Sequence, residues 1–231
     1  MIILAKTGHD HLDMGINRQD VAFAAGGVKF VLDGCGSGEH SEVGVQLFQQ
    51  LIEASAFVAS GYEMDVQAFD RLVQDTMFYM AKKIVDTDKF RFDNLCFTIL
   101  ACLETETEFV VKTCGDGYII GVTTDGTIET IELTNEEHAD APAYLVYNHV
   151  EKRELLFGRD LGGVTFATHT FSKEVYANVG VATDGWRFVR DLEPLERTHW
   201  DDYLLADKAK MLSRIVNRNQ QRFKDDIAIC L

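Results

Sequence analysis

Aspartates far apart in this 231-residue chain stand where apolar runs break into turns. They are Asp33 in VKFVLDGCGSG, Asp116 in VVKTCGDGYIIG, Asp184 in VGVATDGW, and Asp225 and Asp226 in RFKDDIAICL. Each lies against Val, Ile, Leu or Phe in a run with strand character. A carboxylate at the lip of a buried strand is costly unless a cation meets it. Lys and Arg are sparse around these places. The expected chemistry is therefore binding of a divalent metal, because Mg²⁺ and Mn²⁺ take oxygen ligands. A single Asp-Gly between strands is by itself a hairpin turn, and Asp125-Gly126 in GVTTDGTIETI reads that way. The inference rests on the set.

The elements that must position these residues can be read from periodicity. Strands are predicted over 2–7, 20–24 and 28–33, the third ending at Asp33. A glycine-rich loop, GCGSGEH, follows. Ser41-Glu42 opens a helix reaching about residue 59, with Val43, Leu47, Phe48, Leu51 and Ile52 on one face. A second helix runs from about Val66 to Val85, with Phe69, Leu72, Val73, Met77 and Met80 inward. The period then changes to a meander over 95–103, 107–114, 117–122 and 127–132. Further strands are expected over 143–149, 153–157, 164–170 and 175–183. A helix over 201–218 and a last strand, 227–231, complete the chain. Helices in two blocks among many strands predict an α+β layered sandwich, not a doubly wound parallel sheet.

Composition narrows the function classes. No Pro/Gly/Ser linker divides the chain, so a single domain over 1–231 is expected. The formal net charge of −15 argues against nucleic-acid or anionic-membrane partners. No apolar run reaches membrane-spanning length, and MIILAKTGHDHLD lacks the pattern of a signal peptide, which makes a cytoplasmic location the expectation. Five cysteines without CxxC spacing argue against a disulfide framework and a structural zinc site.

The segments GHDHLDMGINRQDV, VLDGCGSGEHSEVG, TCGDGYIIG, VATDGW and KDDIAICL, in this order, resemble the metal-dependent protein phosphatases of the protein phosphatase 2C family. The likeness runs from His11 to Leu231 and is closest to a compact bacterial branch. It implies a four-layer αββα sandwich in which two antiparallel sheets carry helices outside. Carboxylates at one end would hold two Mn²⁺ or Mg²⁺ ions, with a third in some bacterial members. By this resemblance Asp33 bridges the two metals and Gly34 offers its backbone carbonyl. Asp184 and Asp225 complete the first metal's carboxylates, while Asp226 stands where the family usually has Asn. Asp116 matches the third-ion aspartate.

Asp20 matches the Asp of an N-terminal acidic pair whose Glu is replaced here by Gln19. An amide oxygen can coordinate but brings no charge, so the second site either is weaker or leans on Asp20 through water. Many relatives clamp the phosphate with an arginine at the position of Gly15. The candidates here are His11, which could donate to a phosphoryl oxygen, and Arg18. The implied reaction is direct hydrolysis of phosphoserine and phosphothreonine in proteins by an activated water, which places a serine/threonine kinase on the other side of the cycle. No nucleophilic cysteine is required. Cys35, beside Asp33-Gly34, is a packed thiol or an oxidation-sensitive one. A family flap that helps choose substrates maps to 134–160 and carries Arg153 and Arg159. Two other readings stand beside this one: a catalytically silent binding module, favoured by Gln19, and a hydrolase of small phosphate esters.

Overall fold

The structure is a computed structural model that describes residues 1–55, 65–84, 86–134, 142–151 and 163–231. Its centre is a pair of five-stranded antiparallel sheets. One has the order β1-β10-β9-β6-β7, from Ile3–Lys6, Ile227–Cys230, Tyr176–Ala182, Gly117–Thr123 and Ile128–Leu133. The other has the order β2-β3-β4-β5-β8, from Val21–Ala25, Val28–Gly34, Phe97–Glu104, Glu108–Cys114 and Ala167–Ser172.

The strands read as unbroken apolar runs because each central strand is buried on both faces. Alternate residues point to opposite sides of a sheet. Val31, Leu100, Ile119, Val181, Ala228 and Cys230 fill the space between the sheets. Their neighbours Phe30, Leu32 and Ile99 point outward beneath the helices α2 (Ser41–Glu53) and α3 (Val66–Tyr79). On the far side, Tyr118, Ile120, Ile227 and Ile229 pack beneath α6 (Pro194–Leu205) and α7 (Ala209–Arg218). The αββα order expected from the sequence is thus the order observed. Each of the three apolar layers has its own stripe of residues.

Several elements differ from expectation. α2 buries Val45, Phe48 and Ile52, while Val43 is exposed, so the inward face is rotated from the one predicted. The second helix ends at Tyr79 and continues as a π-helical turn, Met80–Ile84. Residues 143–149 are not a strand: Leu145–His149 is a 3₁₀ turn whose Leu145, Val146 and Tyr147 are buried. Three consecutive buried side chains imitate a strand in sequence. The expected helix over 201–218 is two helices, separated at Asp207, whose φ of 53° is left-handed and cannot continue a helix. Pro194 opens the first of them at the position where proline fits a helix start.

Among the short helices that went unforeseen are α1 (His9–Met14) and α4 (Asp88–Asn94). α1 buries none of its residues and so has no apolar stripe to read. The short helical turn Arg187–Arg190 is α5. The strand expected at 153–157, and Arg153 and Arg159, lie outside the described residues. Among the described residues, no helix is long and apolar enough to cross a membrane. All five cysteines are free thiols.

Candidate metal centre

One end of the sandwich gathers the expected aspartates from five separate chain segments. His11, Gln19, Asp20, Asp33, Gly34, Cys35, Thr98, Asp116, Tyr144, Asp184 and Asp225 all line one cleft of about 240 Å³. Asp33, the next-to-last residue of β3, stands opposite Thr98 of β4. Asp116 sits in the β5–β6 turn, and Thr98 Oγ1 donates to its Oδ1 at 3.2 Å. Gly117 after it has a φ of 131°, a conformation side chains rarely adopt, so the Gly-Asp-Gly turn is built around its glycines. Asp184 begins the 3₁₀ turn that follows β9, anchored by the fully buried Trp186. Gly34 is fixed by close approach: a Cβ there would come within 2.8 Å of Ser41 Oγ and 3.0 Å of the Gln19 carbonyl.

The tandem pair before β10 divides its work. Asp226 is only 1% exposed. Its Oδ1 accepts the Gly8 N–H at 2.8 Å and its Oδ2 the Gln19 N–H at 2.6 Å. It therefore fastens two N-terminal turns to the last strand. His11 Nδ1 also lies 2.9 Å from Asp226 Oδ1, in contact but without hydrogen-bond alignment. Asp225 instead opens into the cleft, with Oδ1 accepting the Asp226 N–H at 2.9 Å. Of the two aspartates, Asp225 is the one available to a ligand.

The electrostatics are unbalanced toward the N-terminal side. Burial is the first cause holding the Asp20 carboxyl well above the usual range. Asp226, Asp184 and Asp225 add repulsion, against a hydrogen bond from Thr183. Burial likewise raises Asp33 well above that range, followed by repulsion from Asp20, Asp184, Asp116 and Asp225. Asp184 is raised to about 6 by burial, with Arg187 opposing and Asp225 and Asp116 reinforcing the shift. Asp20 Oδ2 is buried without a hydrogen-bond partner.

The fit to a metal can be tested on these groups. Among the described residues, no three His, Cys, Asp or Glu side chains already form a ligand set. The donor chemistry nevertheless fits a hard divalent ion. The acids present oxygens, they repel one another, and Asp20, which lines the cleft, keeps a buried carboxylate oxygen without a partner, where uncompensated charge is expensive.

Two expectations need correction. Arg18 does not line the cleft; its guanidinium donates to the carbonyls of Asp20 at 2.9 Å and Ala5 at 3.3 Å. Nor is the cleft devoid of basic groups. Arg187 Nη1 lies 2.9 Å from Asp184 Oδ2, and Nη2 lies 3.3 Å from Asp225 Oδ2. The signal for the first contact was present, since a spacing of three residues brings side chains together on a helical turn. Thr98 and Tyr144 were also missed. Burial is the main cause pushing the Tyr144 phenol far upward, with Cys35, Asp33 and Asp116 adding to it. It therefore stays protonated beside the carboxylates.

Comparison with known proteins bears on the family and the fold. At the level of sequence alone, no curated protein matches the chain. Among solved structures, it is similar to the serine/threonine phosphatase Stp1 from Staphylococcus aureus, with a TM-score of 0.64 at 13% identity. That match covers 98% of this chain and 91% of that one. A bacterial serine phosphatase gives a TM-score of 0.62 at 14% identity, covering 98% and 94%. The catalytic domain of the serine threonine protein phosphatase PstP, solved in complex with two manganese ions, gives 0.59 at 15% identity, with coverage of 98% and 94%. At such identities the likeness concerns the fold. The family profile for protein phosphatase 2C matches residues 7–224, nearly the whole chain, and the chain belongs to the protein phosphatase 2C family.

Proposed function

We propose that this chain is a Mn²⁺- or Mg²⁺-dependent serine/threonine protein phosphatase. The observation that carries the reading is the convergence of Asp20, Asp33, Asp116, Asp184 and Asp225 on one cleft, with a buried carboxylate oxygen left unpaired. Family membership and the manganese-bound PstP neighbour support it. Asp33 would serve both ions and Gly34 would offer its backbone carbonyl, with Asp184 and Asp225 serving the first ion and Asp20 the second, Gln19 beside it. Asp116 would serve a third. When bound, such ions lower the pKa of a water and neutralise charge on a phosphoryl group.

The protein's own residues supply the remainder. The ends of β2 and β3 are tied by the Gly34 N–H to the Gln19 carbonyl at 3.2 Å, which fixes the spacing of Asp20 and Asp33. Asp226 holds the Gln19 backbone and the Gly8 turn from which α1 starts, and α1 carries His11. His11 Nε2, 3.9 Å from Asp225 Oδ1, stands at the cleft wall where it can donate to a phosphoryl or leaving-group oxygen. Arg18, engaged on backbone carbonyls, is a structural brace in this reading.

The substrate is a phosphorylated protein made by a serine/threonine kinase, with neither nucleic acid nor membrane as partner, in the cytoplasm. The 1–231 chain acts as one catalytic domain. A second reading, a silent binding module, draws on Gln19 and on Arg187 already pairing two acids. The deciding experiment is hydrolysis of a phosphothreonine peptide with Mn²⁺, with Mg²⁺ and with chelator. Turnover that depends on the metal and is abolished by chelator supports the enzyme. Metal binding without turnover of this peptide or of small phosphate esters supports the module.

A further inference from the structure

The carboxylate cleft is served by one guanidinium that nothing in its expected chemistry requires. Arg187 reaches it from α5, three residues past Asp184. One nitrogen contacts Asp184 Oδ2 and another contacts Asp225 Oδ2. It thereby bridges two acids from segments that meet only in the folded chain. Among the described residues, Asp20 and Asp33, across the same cleft, have no such cation, and Asp20 keeps its orphaned oxygen. The acidic centre is thus neutralised on one side and not on the other.

We propose that Arg187 is a tethered counter-cation that competes with the divalent ion for Asp184 and Asp225, and so sets how much metal the protein needs. This inference rests on the metal-dependent reading of the cleft. A guanidinium and a dication seek the same oxygens, and a positive charge held nearby also opposes the approach of another. The bridge is displaceable. The Arg187 side chain is 44% exposed, and ion pairs open to that much solvent are weak. It also has somewhere to go. It already borders a second cavity of about 390 Å³, lined also by His11, Met14, Phe188, Lys224 and Asp225, which leaves the guanidinium room to withdraw from the acids while it stays near the Phe188 ring it now covers at 4.9 Å. Without metal, the same contacts relieve repulsion between Asp184 and Asp225. Arg187 therefore stabilises the empty protein and weakens the loaded one.

The test is Mn²⁺ binding, followed by titration calorimetry and by the resonance of free Mn²⁺, together with melting of chelator-treated and Mn²⁺-loaded protein. Arg187→Gln is expected to bind Mn²⁺ about five- to tenfold more tightly than the wild type, a change of the size one screened charge at contact range produces. It should melt lower without metal and show a larger rise on loading. Arg187→Lys, which keeps the charge but has one nitrogen and cannot bridge both acids, should fall between the wild type and Arg187→Gln in affinity. A misfolded variant does not gain affinity, so the expected sign separates this role from a structural one. Unchanged or weaker Mn²⁺ binding in Arg187→Gln, with normal wild-type binding, overturns the competition and leaves the phosphatase reading intact. A wild-type protein that binds no Mn²⁺ overturns both.

Discussion

Asp20, in the wall of the cleft, and Asp226, next to the cleft-lining Asp225, are two buried carboxylates, 3% and 1% exposed, and they are treated in opposite ways. Asp226 has a backbone N–H on each oxygen and the His11 ring alongside. Asp20 has an oxygen with no partner, and repulsion from Asp226 is the second largest cause of its raised pKa. Burial alone does not mark a functional acid, because a buried carboxylate supplied with donors is a fastening. The one left short is, on the metal-dependent reading, where a cation would meet the charge.

The largest effect should come from the unsatisfied side. Asp33→Asn is expected to lower metal-dependent phosphopeptide turnover by about 100-fold or more, the scale of losing a group that organises transition-state charge. The melting temperature of the metal-free protein should not fall, because removing one of several crowded anions relieves repulsion. A variant that retains turnover, or that melts lower without metal, would place Asp33 among the fastenings instead.

Asp226→Ala should do the reverse. It strips two buried N–H groups of their acceptor, at a net cost of about 3 kcal/mol. For a chain of this size, that corresponds to a fall of about 6–12 °C in Tm with or without metal, readable by calorimetry. Asp226→Asn, which keeps one acceptor oxygen, should fall between. Unchanged melting in Asp226→Ala would break the contrast drawn above.

How much of this was legible depended on whether the determining contacts were local. The meander β4–β7 could be read because its strands are buried on both faces and separated by turn residues. Asp33, Asp116 and Asp184 could be read because each ends such a run. The assignment of roles within Asp225-Asp226 was not written locally in the same way. It is decided by the alternation into β10 and by N–H groups of Gly8 and Gln19, which lie 218 and 207 residues away. Arg187 was half legible: its contact with Asp184 is a helical-turn neighbour, whereas Asp225 lies 38 residues away. The Leu145–His149 turn misled because consecutive buried residues carry no period. Arg18 misled because a basic residue next to an acidic motif says nothing of whether its donors are already taken.

A pH titration sharpens the contrast at moderate amplitude. The folded pKa of Asp184, about 6, lies above its ordinary value of 3.8, and Asp20 and Asp33 are raised well above theirs. A raised carboxyl binds its proton more tightly in the folded state, so stability falls as pH rises through the window between the two values. The metal-free protein should therefore melt higher near pH 5 than near pH 7.5. Mn²⁺, which favours the charged carboxylates, should shrink the difference. Asp184→Asn should shrink it without metal. A melting temperature that rises with pH in chelator, or a variant with the wild-type profile, would show that these acids do not govern the acid side of stability.

The smallest expected effect concerns Gln19, whose backbone belongs to the fastening and whose side chain belongs to the cleft. Its N–H is held by Asp226 and its carbonyl by Gly34, so the position is fixed whatever the side chain carries. The residue is buried, directly before Asp20, and lines the cleft. A carboxylate there would join an already repelling set. Gln19→Glu should therefore lower the metal-free melting temperature by a few degrees, since uncompensated charge is added where burial already raises Asp20. The same charge should lower the Mn²⁺ concentration for half-maximal turnover by about three- to tenfold, because oxygen-ligand sites gain cation affinity with added carboxylates. The two responses must move in opposite directions to support the comparison. A loss of metal-free stability with no gain in metal affinity would mean that the side chain faces the cleft but not the ions, and that Asp20 alone meets the second one. A gain in affinity with unchanged stability would mean that the cleft admits enough solvent at Gln19 to screen a new charge, and that the dry part of the site is confined to Asp20 and Asp33.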